Sequence, residues 1–370
     1  MSPTRARVGA FCRRFGLEVP ILLAPMAGAS APALSIAVMN AGGLGACGAL
    51  LMQPDEIAAW ADEVRAEGSG RYQLNLWVPD PPPARDTGQE RLLRAFLSGW
   101  GPPPVESAGD AIPPDFAAQC DALLSAKPPI VSSVMGLFPS EFVARLRRLG
   151  VAWFANVSTV AEARAAEAAG ADVIVAQGME AGGHRGCFDA SQAERRLVGS
   201  IALIPAVADA VEVPVVATGG IADARGVAAA LMLGASAVQI GSAFLRCPEA
   251  GIHSAWAEAL AFVAPEDTIV TSVFSGRAGR SVATDYVLSA IADKAPPPAP
   301  YPVQRGLTAA MRAQAAKTGD VQRMQAWAGQ SARLGRAEPA GRLVQRTWQG
   351  TLALLEGDPD EAFRSGREET

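Results

Sequence analysis

Histidine is almost missing from this chain: His184 and His253 are the only two among 370 residues. Imidazole is the side chain best matched to taking a proton near neutral pH, so imidazole proton chemistry here rests on one of two positions. Cysteine is sparse too. Cys12, Cys47, Cys120, Cys187 and Cys247 are scattered, odd in number and never spaced as CxxC. That argues against a disulfide framework and against a zinc site, and it fits a reducing cytoplasm with no bound metal. Charged residues make up only 19%, the formal net charge is −5 and no long basic run occurs. Nucleic acid and anionic membrane surfaces are therefore poor candidates for partners. Arg5, Arg7, Arg13 and Arg14 precede no apolar run of signal-peptide kind, and no stretch approaches transmembrane length. The expectation is a soluble cytoplasmic protein.

What the chain does have is apolar residues, 49% of the total, arranged as short runs alternating with alanine-rich helical segments. Candidate strands are 21–24, 44–47, 72–77, 129–134, 152–156, 172–176, 214–217 and 236–240. Most are continuous apolar runs, the pattern of parallel strands buried on both faces. Helical segments fall at 31–41, 53–66, 140–149, 159–169, 200–210 and 222–233. Ser158-Thr-Val-Ala-Glu162 supplies one with a polar cap and an acidic first turn, and Gly170 and Gly234 close two of the segments. Eight such units predict an α/β fold of (β/α)₈ barrel type over 15–244, preferred to an open doubly wound sheet. The proline-rich stretch 79–114 reads as an excursion serving as lid, oligomer contact or linker. Residues 245–335 read as a smaller, mainly helical unit on the substrate side, and 336–370 as a C-terminal helix and charged tail.

Barrel enzymes keep their chemistry at the carboxyl ends of the strands, so the residues following each strand carry the functional argument. After the sixth candidate strand stands Gln177-Gly-Met-Glu-Ala-Gly-Gly-His-Arg-Gly186, a glycine-rich loop around His184. Gly182, Gly183 and Gly186 allow the backbone close to a flat or phosphorylated ligand. The plain alternative is a glycine turn with an exposed histidine. Cys187, three residues on, reads as a buried thiol rather than a nucleophile, because no second base lies near it in sequence. After the seventh and eighth candidate strands come Thr218-Gly-Gly-Ile-Ala-Asp223 and Gln239-Ile-Gly-Ser-Ala-Phe244. Two adjacent glycine turns that each lead into a helix form an anion cradle of the barrel phosphate type. No GxxxxGK[ST] occurs, so this is not a P-loop. Ala24-Pro-Met-Ala-Gly28 offers a small-residue turn that could press on a planar ring, and Asn75 places an amide in an apolar strand. His253 has no motif around it and reads as a surface or packing residue.

These motifs together resemble the flavin-dependent nitronate monooxygenases, formerly called 2-nitropropane dioxygenases. The resemblance runs from about 15 to 335 and includes Ser132-Ser-Val-Met-Gly136, Phe274-Ser-Gly-Arg277, Tyr301-Pro302 and Trp327-Ala-Gly-Gln330. It implies a non-covalent FMN, with its phosphate against Gly219, Gly220, Gly241 and Ser242 and its ring along Pro25, Met26 and Ala27. Asn75, Gln177, Gly182 and Gln239 would make polar contacts, with Gln330 a further contact and Tyr301 shaping the substrate pocket. His184 matches the catalytic base. The implied reaction takes a nitronate or nitroalkane with O2 to a carbonyl compound and nitrite, and a homodimer is compatible with the pattern. Met26, Met135 and Met179 are candidate pocket walls. Two relatives share the motifs: NAD(P)H-dependent FMN enoyl-acyl-carrier-protein reductases, against which Gln177 speaks because an acidic residue is expected there, and NAD(P)H:quinone reductases, whose loop generally lacks the histidine. A flavin-binding module without turnover is a further alternative, and His184 argues against it.

Overall fold

A computed structural model describes residues 2–357. Eleven strands occur among them. They are β1 Ile21–Leu23, β2 Gly45–Gly48, β3 Tyr72–Trp77, β4 Ile130–Val134, β5 Ala152–Val157, β6 Val173–Gln177, β7 Gly183–His184, β8 Val215–Thr218, β9 Ala237–Ile240, β10 Thr268–Thr271 and β11 Gly279–Val282. Eight of these pair in parallel in the order β1-β9-β8-β6-β5-β4-β3-β2. The ring closes where Leu22 bridges Leu44, with Leu23 N donating to Leu44 O at 2.8 Å. The protein is an α/β barrel of eight parallel strands with helices between them.

The period of two sorts each strand into an inner and an outer face. On β6, Val173 and Val175 join one apolar cluster while Ile174 and Ala176 join another. On β3, Leu74 and Leu76 join the outer cluster, whereas Gln73 reaches across the barrel to Gln239 at 3.1 Å. Asn75 follows on the same face and donates to Ser132 Oγ at 3.0 Å. The barrel interior is thus polar along one seam, where Gln73 Oε1 is buried without a hydrogen-bond partner.

The outer helices follow from simple patterning. Ser140–Leu149 buries Phe142, Val143 and Leu146 on one stripe, places Arg147 and Arg148 in its last turn and ends on Gly150 at φ 69°. Each such buried side chain stabilises by about 1.5–3 kcal/mol. The helix Pro3–Phe15 was not among the expected segments. It sets Phe15 5.0 Å from Phe154 and ties Arg14 to Asp172 at 2.7 Å, covering the amino-terminal end of the barrel. The proline-rich excursion also holds more structure than its composition suggests, because Thr87–Leu97 is a helix capped by Asp86.

Segment 245–335 contributes helices and also β10 and β11. These pair antiparallel and continue onto β7 through Gly279↔His184, giving a three-stranded sheet the sequence reading omits. The sheet joins this segment to the loop carrying the histidine. The helix Ala340–Glu356 packs back on the barrel, and the expected charged tail beyond residue 357 lies outside the described residues. No helix among the described residues is long and apolar enough to cross a membrane.

One side chain couples the outer layer to the loop. Glu162, in the first turn of Val160–Ala169, accepts from Ser158 N at 2.7 Å and Thr159 N at 3.1 Å, completing a capping box. Its other oxygen accepts from Phe188 N at 2.9 Å, where the histidine loop ends. Glu162→Ala leaves three amides without their acceptor. The expected outcome is a loss of about 2 kcal/mol, read as a lower urea midpoint at unchanged slope. An unchanged midpoint would mean that solvent replaces the carboxylate freely.

Candidate active site

The carboxyl ends of the strands open into a cavity of about 380 Å³, within the range of small-molecule and cofactor sites. Its lining brings together Pro25, Met26, Ala27, Asn75, Gln177, Gly182, His184, Gly219, Gly220, Gln239, Gly241 and Ser242. Twelve positions far apart in sequence meet at one place. Two expected positions do not line it. Gln330 lies on the other side of the glycine turn, in a neighbouring apolar groove, with its side chain turned toward Pro265 O at 3.5 Å. Tyr301 stands behind Trp77, ring centroids 5.4 Å apart, with its hydroxyl buried and unpartnered. Of the three methionines, Met26 lines the cavity, whereas Met135 and Met179 do not.

The anion cradle is built from backbone. Gly219 and Gly220 adopt φ 103° and 72°, conformations that L side chains rarely reach. The N–H groups of Gly219, Gly220, Gly241 and Ser242 donate no hydrogen bond among the described residues. The following helix does not compete for a ligand, because Asp223 already caps it by accepting from Arg225 N and Gly226 N. Gly182 closes the cradle from the histidine loop. A Cβ there would stand 2.5 Å from Gly329 N and 3.0 Å from Ser242 Oγ, so nothing but glycine fits. Ser242 Oγ in turn accepts from Gly329 N at 2.9 Å, joining two walls of the site. Unengaged amides beside a cavity with small-residue walls fit a phosphate with a flat group attached.

The loop bearing His184 is clamped by side chains. Gln177 Nε2 donates to His184 O at 3.1 Å, while Gln177 Oε1 accepts from Gly186 N at 2.7 Å. Arg185 Nη1 donates to Gly178 O at 2.7 Å, Arg280 Nε to Met179 O at 2.9 Å, and Arg277 to Cys187 O. Arg277, itself 1% exposed, is paired with Asp80 at the start of the proline-rich excursion. Gln177, expected as a cofactor contact, therefore also sets the shape of the loop.

His184 sits between Trp77 and Trp327, with ring centroids at 4.6 and 4.7 Å, and its Nε2 lies 2.8 Å from Ser275 Oγ. Burial pushes its pKa down to about 3, and the guanidiniums of Arg305 and Arg277 push the same way. The ring is neutral at any working pH. Arg305 lines the cavity, and its guanidinium makes no hydrogen bond or ion pair among the described residues. Arg312, one heptad on, is held by Thr308 Oγ1, Gln325 Oε1 and Arg305 O, and burial with the Arg305 charge lowers it to about 10. Two cations with no carboxylate partner favour a negative charge in the cavity.

Arg305, Arg312, Ser275 and the wall formed by Trp77 and Trp327 were not among the expected site residues. The two arginines carried a readable sign, two cations seven positions apart in an alanine-rich helical stretch. They lie on two successive helices, Val303–Leu307 and Ala309–Thr318, and both line the cavity. Cys187 is buried and its thiol is raised to about 11 by burial, in keeping with an inert role. His253 caps the helix Ser254–Ala259 by accepting from Ala255 N at 3.1 Å. Among the described residues, no cluster of His, Cys, Asp or Glu could hold a metal ion.

The chain is similar to known proteins over nearly its whole length. The nitronate monooxygenase family model matches residues 11–350. A nitronate monooxygenase from Paraburkholderia phytofirmans is 39% identical over 335 residues, covering 89% of this chain and 91% of that protein. One from Pseudomonas aeruginosa is 37% identical, covering 90% and 97%. Among solved structures, nitroalkane oxidase from Streptomyces ansochromogenes superposes with a TM-score of 0.80 at 36% identity, covering 94% of this chain and 98% of that one. FabK from Thermotoga maritima reaches 0.71 at 27% identity with the same coverage. With a polar-seamed barrel, a free amide cradle and one histidine walled by tryptophans, this chain belongs to the nitronate monooxygenase family and is a flavin-dependent oxidoreductase.

Proposed function

We propose that the enzyme binds FMN non-covalently and oxidises alkyl nitronates with O2 to a carbonyl compound and nitrite. His184 acts as base when the substrate arrives as a neutral nitroalkane. The observation that carries the reading is the pairing of a neutral His184 with the unpartnered Arg305 guanidinium in one cavity. A nitronate is an anion, and this site attracts anions.

The amides of Gly219, Gly220, Gly241 and Ser242 would hold the phosphate, with Gly182 allowing its close approach. Pro25, Met26 and Ala27 would face the ring, and Asn75, Gln177 and Gln239 its polar edges. When bound, FMN supplies the electron acceptor and the centre at which O2 is used. The protein supplies position and field. Trp77 and Trp327 hold the imidazole and keep water from its faces. Arg305 lowers the energy of negative charge, whether that charge arrives with a nitronate or develops as His184 withdraws an α-proton. The same field disfavours imidazolium, so preformed nitronates are the better substrates.

The direct test is anaerobic. Alkyl nitronate, NADH and NADPH are added separately to the yellow protein while the flavin absorbance is followed. Bleaching by nitronate alone is expected. Fast reduction by a nicotinamide with no response to nitronate would move the chain to a reductase chemistry.

His184→Asn is expected to retain flavin and fold while turnover of neutral nitroalkanes falls by about 10²- to 10⁴-fold, the scale of a lost general base. Turnover of preformed nitronate should fall far less. A base must be unprotonated, and this imidazole loses that form only below its lowered pKa. The wild-type kcat/KM for nitroalkane therefore shows no acid limb from His184 between pH 5 and 8. A limb near pH 6.5 that disappears in His184→Asn would show that the ring titrates normally.

Arg305→Gln keeps the side-chain length but removes the charge. The KM for an alkyl nitronate is expected to rise about tenfold or more, with a smaller change for a neutral nitroalkane, an effect of roughly 1.4 kcal/mol or greater. Equal changes for both substrates would mean that Arg305 acts through packing.

A further inference from the structure

The hydroxyl of Ser275 carries one proton and has three polar neighbours. His184 Nε2 lies 2.8 Å away, the carbonyl oxygen of Arg277 3.1 Å and the amide nitrogen of Arg277 3.3 Å. The carbonyl can only accept and the amide can only donate. Among the described residues, Ser275 is the one donor to that carbonyl. Both Ser275 and Arg277 are 1% exposed, so bulk water does not stand in. A hydroxyl proton turned toward the imidazole would leave a buried carbonyl with no donor. Turned toward the carbonyl, it leaves one lone pair for the Arg277 amide and another for an Nε2–H.

We propose that Ser275 is a positioning residue that holds neutral His184 as its Nε2–H tautomer, so that the lone pair meeting the substrate belongs to Nδ1. Nδ1 has no hydrogen bond among the described residues, and it is not one of the sealed, unpartnered atoms of the interior. His184 lines the cavity. The tryptophans on either side hold the ring plane, and the pairing of Gly279 with His184 fixes the backbone beneath it.

The arrangement has a consequence for catalysis, which rests on the reading of His184 as base. A proton taken from a nitroalkane arrives at Nδ1. Nε2–H goes on donating to Ser275, whose hydroxyl goes on donating to the carbonyl. Neither the ring nor the serine has to turn as charge develops, which is the condition for a preorganised site. In the opposite tautomer the hydroxyl would have to rotate at the moment of proton transfer.

A chain with two histidines makes the tautomer directly readable. Flavin-loaded enzyme labelled with ¹⁵N-histidine gives two sets of ring signals in a two-bond ¹H–¹⁵N correlation spectrum. His253→Asn, which keeps an oxygen to cap its helix, assigns them. The expected wild-type spectrum shows pyridine-type Nδ1 and pyrrole-type Nε2 at His184. In Ser275→Ala that preference should be lost, and in Ser275→Thr it should return. Turnover of a neutral nitroalkane should drop about 10- to 100-fold in Ser275→Ala, the scale for loss of an orienting partner, with preformed nitronate much less affected. An Nδ1–H ring in the wild type overturns the proposal, even if Ser275→Ala does not fold. An unchanged Nε2–H ring in Ser275→Ala, or an equal drop on both substrates, also overturns it. Undiminished nitroalkane turnover in His184→Asn would instead remove His184 as base and leave the tautomer result intact.

Discussion

The site depends on how the backbone of residues 177–188 is satisfied. This loop leaves the barrel at the end of β6, runs through four glycines and lies under the segment that covers the cavity. Only Gly183 and His184 pair in a sheet, so most N–H and C=O groups of this loop lack a ladder, and each one left unpaired is costly. Here long side chains take them. Gln177 reaches forward to His184 O and Gly186 N, Arg185 back to Gly178 O, Arg280 to Met179 O, Arg277 to Cys187 O and Glu162 to Phe188 N. Because guanidinium and carboxylate groups make stronger hydrogen bonds than neutral ones, the loop is held by its firmest available contacts.

That solution has an electrostatic by-product. Clamping carbonyls with arginine brings Arg185, Arg277 and Arg280 into the interior, and of these Arg277 has a carboxylate partner, Asp80. Arg305 and Arg312 add two more cations on the covering segment. Burial lowers the pKa of Arg185, Arg280, Arg305 and Arg312, because a guanidinium taken out of water loses hydration that its neighbours do not fully replace. Burial keeps His184 neutral, and the charges of Arg305 and Arg277 act in the same direction. A scaffold that concentrates cations around a cavity with few acids lowers its own stability and gains a place where an anion is welcome.

The barrel was legible because buried parallel strands read as continuous apolar runs. The expected 72–77 coincides with Tyr72–Trp77, and the remaining barrel strands begin or end within a residue of expectation. Proline distribution hid the helix Thr87–Leu97. The prolines of 79–114 gather on either side of it, so an average over the stretch looks helix-free while Asp86 and the residues after it are well suited to one. The strand β7 could not be read at all. Gly183, at φ 75°, and His184 have no strand tendency, and they enter the sheet because β11 pairs with them. The cavity residues that follow barrel strands were legible from the rule that sites form at carboxyl ends. Arg305, Arg312 and Ser275 come from the covering segment, whose placement over the barrel is a tertiary fact with no local signature.

The likeness to both a nitroalkane oxidase and FabK shows why fold and motif stop short of reaction type. The barrel, the amide cradle and a glycine-rich histidine loop suit any chemistry that a bound flavin can support. Discrimination has to come from what surrounds the ring on the substrate side. In this chain that surface is a neutral imidazole between two tryptophans, with an unpaired guanidinium beside it. A neutral thioester would gain little from such a field, while an anion is stabilised by the charge. That surface is shared: Trp77 and His184 come from the barrel strand β3 and the loop after β6, while Arg305 and Trp327 come from the covering segment.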